Sequence, residues 1–299
     1  MDFQSIALPS ELRYRYNFKY YYLLIAGANI GCFLVSPKQF LKKINLYLCF
    51  IKHYTMLLAI DVGNTRIKSA VFENNIILNQ AIFLKEELEK KIKKILENFP
   101  KVTHLVVASV GNLEKKHFLQ LDERLEIVFI SHEDGFPFEN LYATPKTLGI
   151  DRMVLASGAV LKFENQNRLV IDAGTCITYD FVNDQNQYLG GAISPGFRLR
   201  YESLHTFTAK LPLLTLENPE SFIGNSTDES IHSGVVNGVI NEISGFIADY
   251  KRVYPKFTII LTGGDADFLA KRLKNTIFAN SNFLLESLNY LYQYKIKND

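Results

Sequence analysis

This sequence contains few cysteines and carries almost no net charge. Three cysteines occur in 299 residues, Cys32, Cys49 and Cys176, and no two of them stand at metal-ligand spacing. An odd, scattered set does not form a disulfide framework, which favours a reducing, cytoplasmic environment. Lys and Arg number 33 against 31 Asp and Glu, and the basic residues form no single block. Nucleic acid is therefore not an expected partner.

Long hydrophobic runs are also missing. The best candidate, residues 20–35, is interrupted by Asn29 and is too short for a comfortable transmembrane helix. It follows Arg13, Arg15 and Lys19, much as the apolar region of a secretory signal follows basic residues, but no convincing small-residue cleavage site comes after it. Neither a membrane span nor a cleaved secretory signal is therefore predicted.

The first 55 residues differ in composition from the rest of the chain. They are crowded with Tyr and Phe, whereas Met56 directly precedes an apolar strand that opens the first recognisable motif. We therefore expect residues 1–55 to be an N-terminal extension outside the main fold, with the working chain beginning near Met56. A genuine accessory extension and a membrane-surface anchor are the alternatives.

The remainder of the chain has the pattern of an α/β protein. With 47% hydrophobic and 21% charged residues, it can bury substantial cores and carries no mark of disorder. Short apolar runs alternate with amphipathic segments, as in α/β folds. The predicted strands cover residues 57–61, 67–72, 105–110, 126–130, 169–172, 177–182 and 258–262. The predicted helices cover residues 85–99, 113–125, 152–163, 198–207, 228–250 and 266–273.

A strand that ends in Asp and leads through a glycine turn into a second strand occurs twice. The two copies are Asp61-Val62-Gly63-Asn64-Thr65 and Asp172-Ala173-Gly174-Thr175. The glycine lets backbone amides approach an oxyanion and the Thr hydroxyl adds a neutral donor, so the turn suits phosphate. The Asp is placed to hold Mg²⁺ or its waters, and Lys68 to neutralise charge. One copy alone would be a plain hairpin turn, whereas two copies favour two related half-domains that bind phosphate.

These hairpins resemble the phosphate loops of the acetate and sugar kinase, Hsp70 and actin superfamily, whose members hold ATP between two related domains. Within it, the chain resembles the type III pantothenate kinases through five segments in the family's order. They are Asp61-Val62-Gly63-Asn64-Thr65-Arg66-Ile67-Lys68, Gly149-Ile150-Asp151-Arg152, Asp172-Ala173-Gly174-Thr175-Cys176-Ile177-Thr178, Gly190-Gly191-Ala192-Ile193-Ser194-Pro195-Gly196 and Gly224-Asn225-Ser226-Thr227. The resemblance spans Met56 almost to the C-terminus and leaves the first 55 residues uncovered.

The resemblance implies both a fold and a reaction. The fold would be α/β, with two related actin-like ATPase domains of the ribonuclease H-like kind, each a mixed sheet flanked by helices, at residues 56–148 and 149–299. The reaction would be ATP-dependent phosphorylation of pantothenate to 4′-phosphopantothenate, the first step of coenzyme A biosynthesis. ATP as co-substrate, Mg²⁺, a monovalent cation (K⁺ or NH₄⁺) and a cytoplasmic homodimer are implied with it.

The resemblance also implies which residues bind the nucleotide and the cation. The ATP contacts would be Asp61, Val62, Gly63, Asn64, Thr65, Arg66, Ile67, Lys68 and, from the second hairpin, Thr175. Asp172 matches the position that binds the monovalent cation, and a carboxylate there would be costly to bury without a counter-charge. An Mg²⁺-binding or turn-capping Asp172 is the alternative.

The pantothenate pocket implied by the family comprises Tyr142, Gly149, Ile150, Asp151, Arg152 and Thr227. Asp151 matches the catalytic base, which would accept the proton of the primary hydroxyl and orient its oxygen. Arg152 suits the substrate carboxylate because its planar fork can bind two oxygens. Taken singly, Asp151 would be a helix N-terminal Asp, Tyr142 a core residue and Thr227 a helix N-cap.

Two positions depart from the family pattern. Cys176 stands where the family usually has Ala, and Ala108-Ser109-Val110-Gly111-Asn112 replaces a more usual Ser-Ser-Val-x-Pro run. Cys is a small residue close to Ala in character, although a thiol beside a phosphate loop is open to oxidation. Neither departure removes a proposed catalytic group, and the second leaves the local loop geometry open.

Two rival functions remain at this stage. Another enzyme of the superfamily, such as a sugar or carboxylate kinase or a polyphosphate hydrolase, would share the hairpins but lack the Gly-x-Asp-Arg and Gly-Gly-x-Ile-x-Pro-Gly segments. A catalytically inactive nucleotide-binding regulatory protein, of the transcriptional accessory kind, would not need its acidic site residues. The retention of Asp61, Asp151, Arg152 and Asp172 counts against it.

Overall fold

The computed structural model describes residues 21–25, 28–33, 56–63, 65–109, 116–119, 121–274 and 277–298. The chain divides into two compact units, Met1–Tyr54 and Thr55–Asp299. In the first unit, strands β1 (Tyr21–Ile25) and β2 (Ala28–Phe33) pair antiparallel, and the rest of the predicted N-terminal extension lies outside the described residues. Within the described ranges, no helix is long and apolar enough to cross a membrane.

The second unit begins with a mixed five-stranded sheet. Its strands are β3 (Met56–Val62), β4 (Ile67–Glu73), β5 (Ile76–Phe83), β6 (Val102–Ser109) and β7 (Glu126–Phe129). Their order is β5-β4-β3-β6-β7; the β3–β4 and β4–β5 pairs are antiparallel, and the β3–β6 and β6–β7 pairs are parallel. A continuous apolar run suits β3 because Leu57 and Ala59 are buried on one face and Leu58 and Ile60 on the other.

The second sheet repeats the topology of the first. Its strands are β8 (Glu139–Asn140), β9 (Arg168–Ala173), β10 (Cys176–Val182), β11 (Gln187–Pro195), β12 (Thr258–Thr262) and β13 (Phe278–Ala279). Their order is β13-β12-β9-β10-β11-β8. Without the edge strand β8, the order and the strand directions are those of the first sheet. The prediction of two related α/β halves with mixed sheets is therefore confirmed.

Helices cover the sheets and fill the space between them. They are α1 (Leu88–Asn98), α2 (Lys116–Leu119), α3 (Ile150–Lys162), α4 (Phe197–Thr206), α5 (Thr227–Val253), α6 (Ala266–Ala270) and α7 (Phe283–Asn298). Helix α1 packs on one face of the first sheet, and α5 packs on one face of the second. Helices α3 and α7 lie between the sheets, in one core with the first sheet and with Val182 and Tyr188 of the second.

Helices α3 and α7 cross at a glycine. A Cβ placed on Gly158 of α3 would lie 1.9 Å from Oγ and 2.4 Å from Cβ of Ser287 on α7. The Ser287 hydroxyl is not free to move away, because it donates a 2.6 Å hydrogen bond to the Phe283 carbonyl. The close approach of the two helices thus requires a residue without a side chain at this position.

Two predicted helices differ from the structure, and some observed elements, among them strands β5 and β11 and helix α7, were not predicted. The stretch 113–125 was predicted as helical, but its described part is helical only in α2. The helix predicted at 266–273 ends at Ala270. Helix α7 was not predicted at all, because it is buried against both sheets and shows no polar face with a 3.6-residue period. Since α7 packs on the first sheet, the domain limits 56–148 and 149–299 remain a prediction.

Candidate active site

Each of the two predicted phosphate hairpins is closed by a hydrogen bond from its glycine N–H to a carbonyl later in the turn. The backbone N–H of Gly63 donates to the Arg66 carbonyl at 3.2 Å, and the N–H of Gly174 donates to the Cys176 carbonyl at 2.9 Å. The strands that enter these turns, β3 and β9, each have an antiparallel partner on one side and a parallel partner on the other. Each sheet therefore delivers one carboxylate, Asp61 or Asp172, from an equivalent position.

Some residues of the first loop could contact a nucleotide only through their backbone, and others could use their side chains. Val62 and Ile67 are fully buried in the core under α1, so only their backbone could contact a nucleotide. Thr65 and Arg66 are exposed, and Lys68 is half-buried. Asn64 lies outside the described residues. The side chains left to meet phosphate in the described part of this loop are thus a hydroxyl and two cations.

Three carboxylates from separate elements meet at these hairpins. Burial raises the pKa of Asp61 to about 7; Lys68 opposes the shift, and the charges of Asp172 and Asp151 add to it. Burial likewise raises the pKa of Asp172 to about 7, with Asp151 adding to the shift and Lys68 opposing it. The charges of Asp151 and Lys68 thus act on both hairpin carboxylates, which indicates one acidic site shared by the two hairpins and the start of α3.

This acidic site fits cations that share their ligands with phosphate. In the part of the chain that the structure describes, no three His, Cys, Asp or Glu side chains are grouped closely enough to hold a metal ion. Mg²⁺ is commonly bound through one or two carboxylates together with substrate phosphates, and buried carboxylates with raised pKa values favour a nearby cation. Asp61 and Asp172 therefore suit Mg²⁺ and a monovalent cation bound along with ATP.

Replacing Asp172 by Asn is expected to stabilise the ligand-free protein at neutral and basic pH. Because the folded-state pKa is raised from 3.8 to about 7, the stability that this group contributes is complete below about pH 4 and is lost as the pH rises to about 7. Asn has no charge to desolvate, so the Tm of the variant should exceed that of the wild type most clearly above about pH 7.

Thermal unfolding of both proteins between about pH 4 and pH 8 measures this difference. The advantage of Asp172→Asn should shrink towards the acid end of that range, where the wild-type carboxyl is protonated in both states. A variant that unfolds at a lower temperature than the wild type at about pH 8 would show that Asp172 has a stabilising partner instead.

Asp151 lies in the first turn of α3, where glycine makes room for it. A Cβ on the N-cap residue Gly149 would come within 2.4 Å of the Asp151 Oδ1 atom. That oxygen accepts the backbone N–H of Arg152 at 2.8 Å. Burial raises the pKa of Asp151, against the opposing effects of the Arg152 amide and charge. Ile150 is buried in the core, so its part in a substrate pocket would be limited to its backbone.

The guanidinium of Arg152 is already engaged by a carboxylate that the sequence analysis did not single out. Its Nε and Nη2 atoms lie 2.8 Å and 2.7 Å from Oδ1 of Asp180 on β10. Tyr142 is half-buried beside this pair, with its ring centroid 5.8 Å from the Arg152 Cζ atom. A substrate carboxylate would therefore have to use the remaining edge of the Arg152 fork.

The second hairpin contacts the Gly-Gly-x-Ile-x-Pro-Gly segment. The Thr175 carbonyl accepts the N–H of Gly196 at 3.0 Å, and a Cβ on Gly196 would lie 2.1 Å from the Gly174 carbonyl oxygen. The glycine at the start of α4 is therefore required for the hairpin to lie against this helix. Thr175 itself is half-buried, which leaves its hydroxyl accessible in part.

Thr227 lies at the start of α5. It is the exposed first residue of α5, and Ser226 caps this helix by accepting the Glu229 N–H at 3.2 Å. The alternative prediction that Thr227 is the N-cap is therefore wrong by one residue. Thr227 lines a cavity of about 980 Å³ together with Arg200, Asn225 and other residues of α4, α5 and the segment between them.

A third loop reaches the acidic site beside the two hairpins. The N–H of Asp265 donates to the Ala173 carbonyl at 3.0 Å, and a Cβ on Gly263 would lie 2.4 Å from Oδ1 of Asp172. Gly263 also has a φ of +95°, which side-chain-bearing residues rarely adopt. The charge of Asp265 adds to the raised pKa of Asp172. In the sequence, Gly263-Gly264 directly after β12 indicates a loop here, but the nearness of Asp265 to the site cannot be read from it.

The comparisons with known proteins agree on one family. A model of the type III pantothenate kinases matches residues 57–249. The type III pantothenate kinase of Flavobacterium johnsoniae is 67% identical over 244 residues, which cover 82% of this chain and 100% of that protein. The enzyme of the same name from Flavobacterium psychrophilum is 62% identical over 240 residues, which cover 80% of this chain and 100% of that protein.

A solved structure supports the fold alone. It is a crystal structure of a Campylobacter jejuni protein assigned to the Baf family of transcriptional activators, with a TM-score of 0.54 and 21% identity over 80% of this chain and 99% of that one. The family follows from the much more similar relatives and from the matched family model. This chain belongs to the type III pantothenate kinase family.

Proposed function

We propose that the protein transfers the γ-phosphoryl group of ATP to the primary hydroxyl of pantothenate, giving 4′-phosphopantothenate. The observation that carries this proposal is that Asp61 and Asp172, from two phosphate hairpins, are both near enough to Asp151 at a helix start for its charge to raise their pKa values. Membership of the type III pantothenate kinase family supports the same substrate pair. The retained acidic residues argue against the inactive regulator considered above.

Each carboxylate has a distinct part in this proposal. Asp151 accepts the proton of the attacking hydroxyl and aligns its oxygen with the γ-phosphorus; its raised pKa brings its basicity closer to neutral pH. Asp61 would hold Mg²⁺ next to the phosphates, and Asp172 would hold the monovalent cation. When bound, these cations neutralise charge on the transferred group. Lys68, between the hairpins, would contact the same phosphates.

The substrate end of the proposed site lies at the start of α3. Gly149 and Ile150 would contribute backbone groups, whereas the side chains of Tyr142 and Arg152 would contact pantothenate. Thr175 would reach a phosphate from the second hairpin. Thr227 stays a proposed pantothenate contact, supported by its place on a cavity rather than by nearness to Asp151.

Assembly and location belong to this proposal as well. Large apolar side chains stand exposed on the segment between α4 and α5, with Phe207 85%, Phe222 79% and Ile223 75% accessible. Burying them against a second copy of the chain would be favourable, which supports a homodimer. A cytoplasmic location fits the cysteine usage, and no nucleic acid or membrane partner is proposed for the catalytic part.

ADP release should depend on pantothenate and be stimulated by potassium. Coupled ADP release is measured at fixed Mg²⁺ with and without pantothenate, with K⁺ exchanged for Na⁺, because the proposed Asp172 site distinguishes these ions. A chain beginning at Met56 should match the full chain, since whole relatives align with 82% of it. ADP release without pantothenate would indicate a hydrolase, and ATP binding without turnover would indicate a regulator.

A further inference from the structure

Asp180 is a fully buried carboxylate with four donors and no contact with solvent. Its Oδ1 atom accepts Nε and Nη2 of Arg152 at 2.8 Å and 2.7 Å, and the Tyr188 hydroxyl at 2.6 Å. Its Oδ2 atom accepts the Thr178 hydroxyl at 3.0 Å. Burying a charged group costs free energy unless all its hydrogen-bond partners are in place. These partners link β10 and β11 to the first turn of α3.

Two tyrosine rings lie beside this ion pair, and one of them contacts the guanidinium. The Tyr142 ring lies 5.8 Å from the Arg152 Cζ atom and meets the Tyr188 ring at a centroid distance of 6.1 Å, edge to face. Gly190 leaves room for the Tyr142 ring, because a Cβ there would lie 3.3 Å from its Cδ2 atom. Arg152 is therefore held in one orientation by a carboxylate on one side and rings on the other.

The same contacts also affect the orientation of the Asp151 carboxylate. Asp151 and Arg152 are adjacent in the first turn of α3, and Oδ1 of Asp151 accepts the Arg152 N–H. An Arg152 guanidinium released from Asp180 could approach the Asp151 carboxylate, on which its charge already acts. Pairing with it would turn the Asp151 oxygens away from the hydroxyl that they are to align.

We propose that Asp180 is a positioning residue for phosphoryl transfer, which holds Arg152 away from Asp151 and so keeps the Asp151 carboxylate aimed at the substrate hydroxyl. The inference rests on the proposed function, because it assigns Asp180 a role in that reaction. Asp180 acts chiefly through Arg152: it is fully buried and touches neither substrate.

The first test is Asp180→Asn in the full chain, with steady-state kinetics for both substrates and a direct measurement of ATP binding. We expect kcat to fall by about 100-fold, the order of effect that a small misplacement of reacting groups produces. The KM and Kd for ATP should change by no more than about twofold, since the phosphate hairpins keep their closing hydrogen bonds. A merely structural role would reduce the amount of folded protein and leave the kcat of that fraction intact.

The opposite end of α3 offers a matched control. Lys162 pairs with Glu286 of α7 at 2.9 Å, so Glu286→Gln also removes the charge from an interelement ion pair of the same helix. It should lower the unfolding midpoint and leave kcat within about twofold of the wild type, because no reacting group lies near it. A loss of kcat equal to that of Asp180→Asn at a similar loss of stability would overturn the inference.

A double variant tests whether Asp180 acts through Arg152, and it removes the unpaired buried charge that could prevent Asp180→Asn from folding. If the inference holds, Arg152→Gln and Arg152→Gln/Asp180→Asn should have kcat values within about twofold of each other. A further tenfold loss in the double variant would overturn it. A wild-type chain without pantothenate-dependent turnover would overturn the proposed function as well, whereas an active wild type with a fully active Asp180→Asn would overturn the inference only.

Discussion

Replacing Asp151 by Asn should lower kcat by about 100-fold to 10,000-fold and leave ATP binding measurable. Asn keeps the shape of the side chain and can still accept the Arg152 N–H, so the first turn of α3 should be retained. It cannot take the proton from the pantothenate hydroxyl. Steady-state kinetics give kcat, and calorimetry with ATP alone gives the binding constant.

The outcome for ATP separates three roles for Asp151. If ATP affinity falls as far as kcat, Asp151 supports metal binding or folding rather than proton transfer. A matched control is Asp249→Asn, since Asp249 is an exposed carboxylate paired with Arg252 within one helix and such surface pairs contribute little. That variant should keep kcat within about twofold of the wild type.

Replacing Gly158 by Ala should destabilise the fold by about 3 kcal/mol, near the upper end of the cost of overpacking a core. The new methyl group would overlap Ser287 on α7, whose hydroxyl and Cβ lie 1.9 Å and 2.4 Å from its position. The gain in helix propensity from Gly to Ala, about 1 kcal/mol, is too small to offset this. Urea denaturation of the folded variant measures the loss.

Two further variants show whether the helix crossing is the cause. Ser287→Gly in the Gly158→Ala background removes the two closest contacts but leaves the Cα of residue 287 at 2.9 Å from the new methyl group, so it should recover part of the lost stability, although it destabilises the wild type by itself. Gly245→Ala is the control without a neighbour, because nothing lies within 4 Å of its new methyl group. It should stabilise the protein by about 0.5–1 kcal/mol. A Gly158→Ala protein as stable as the wild type would show that α7 shifts freely.

The sequence predicted the parts of the site that are local in the chain. The Asp61 and Asp172 hairpins each combine a strand, an Asp and a glycine within a few residues, and a repeated local pattern is visible without a structure. Asp180 and Asp265 were missed because their importance depends on partners far along the chain, Arg152 and Ala173 respectively. No spacing rule connects such pairs.

Helix prediction failed for a related reason. The amphipathic helix α1 was found because it has one apolar face and one charged face, whereas α7 has apolar contacts on several sides. The alternative role of Thr227 as the N-cap of α5 belongs to Ser226 instead, since both hydroxyls suit that position and only the Ser226 bond to the Glu229 amide decides it. Tertiary packing determines whether a helix is buried on two sides and which of two neighbouring hydroxyls caps it, and the local sequence shows neither.

The position of α7 between the sheets also sets the order of events during synthesis. The first sheet is made early, but one of its faces is covered by residues 283–298, and Asn289 of that helix donates to the Asn74 carbonyl, 215 residues away. At about 5–20 residues per second, the ribosome leaves that apolar face covered only in part, by α3, for on the order of ten seconds. The nascent chain should therefore be a chaperone client until its last helix emerges, and messages truncated before residue 283 should yield aggregates.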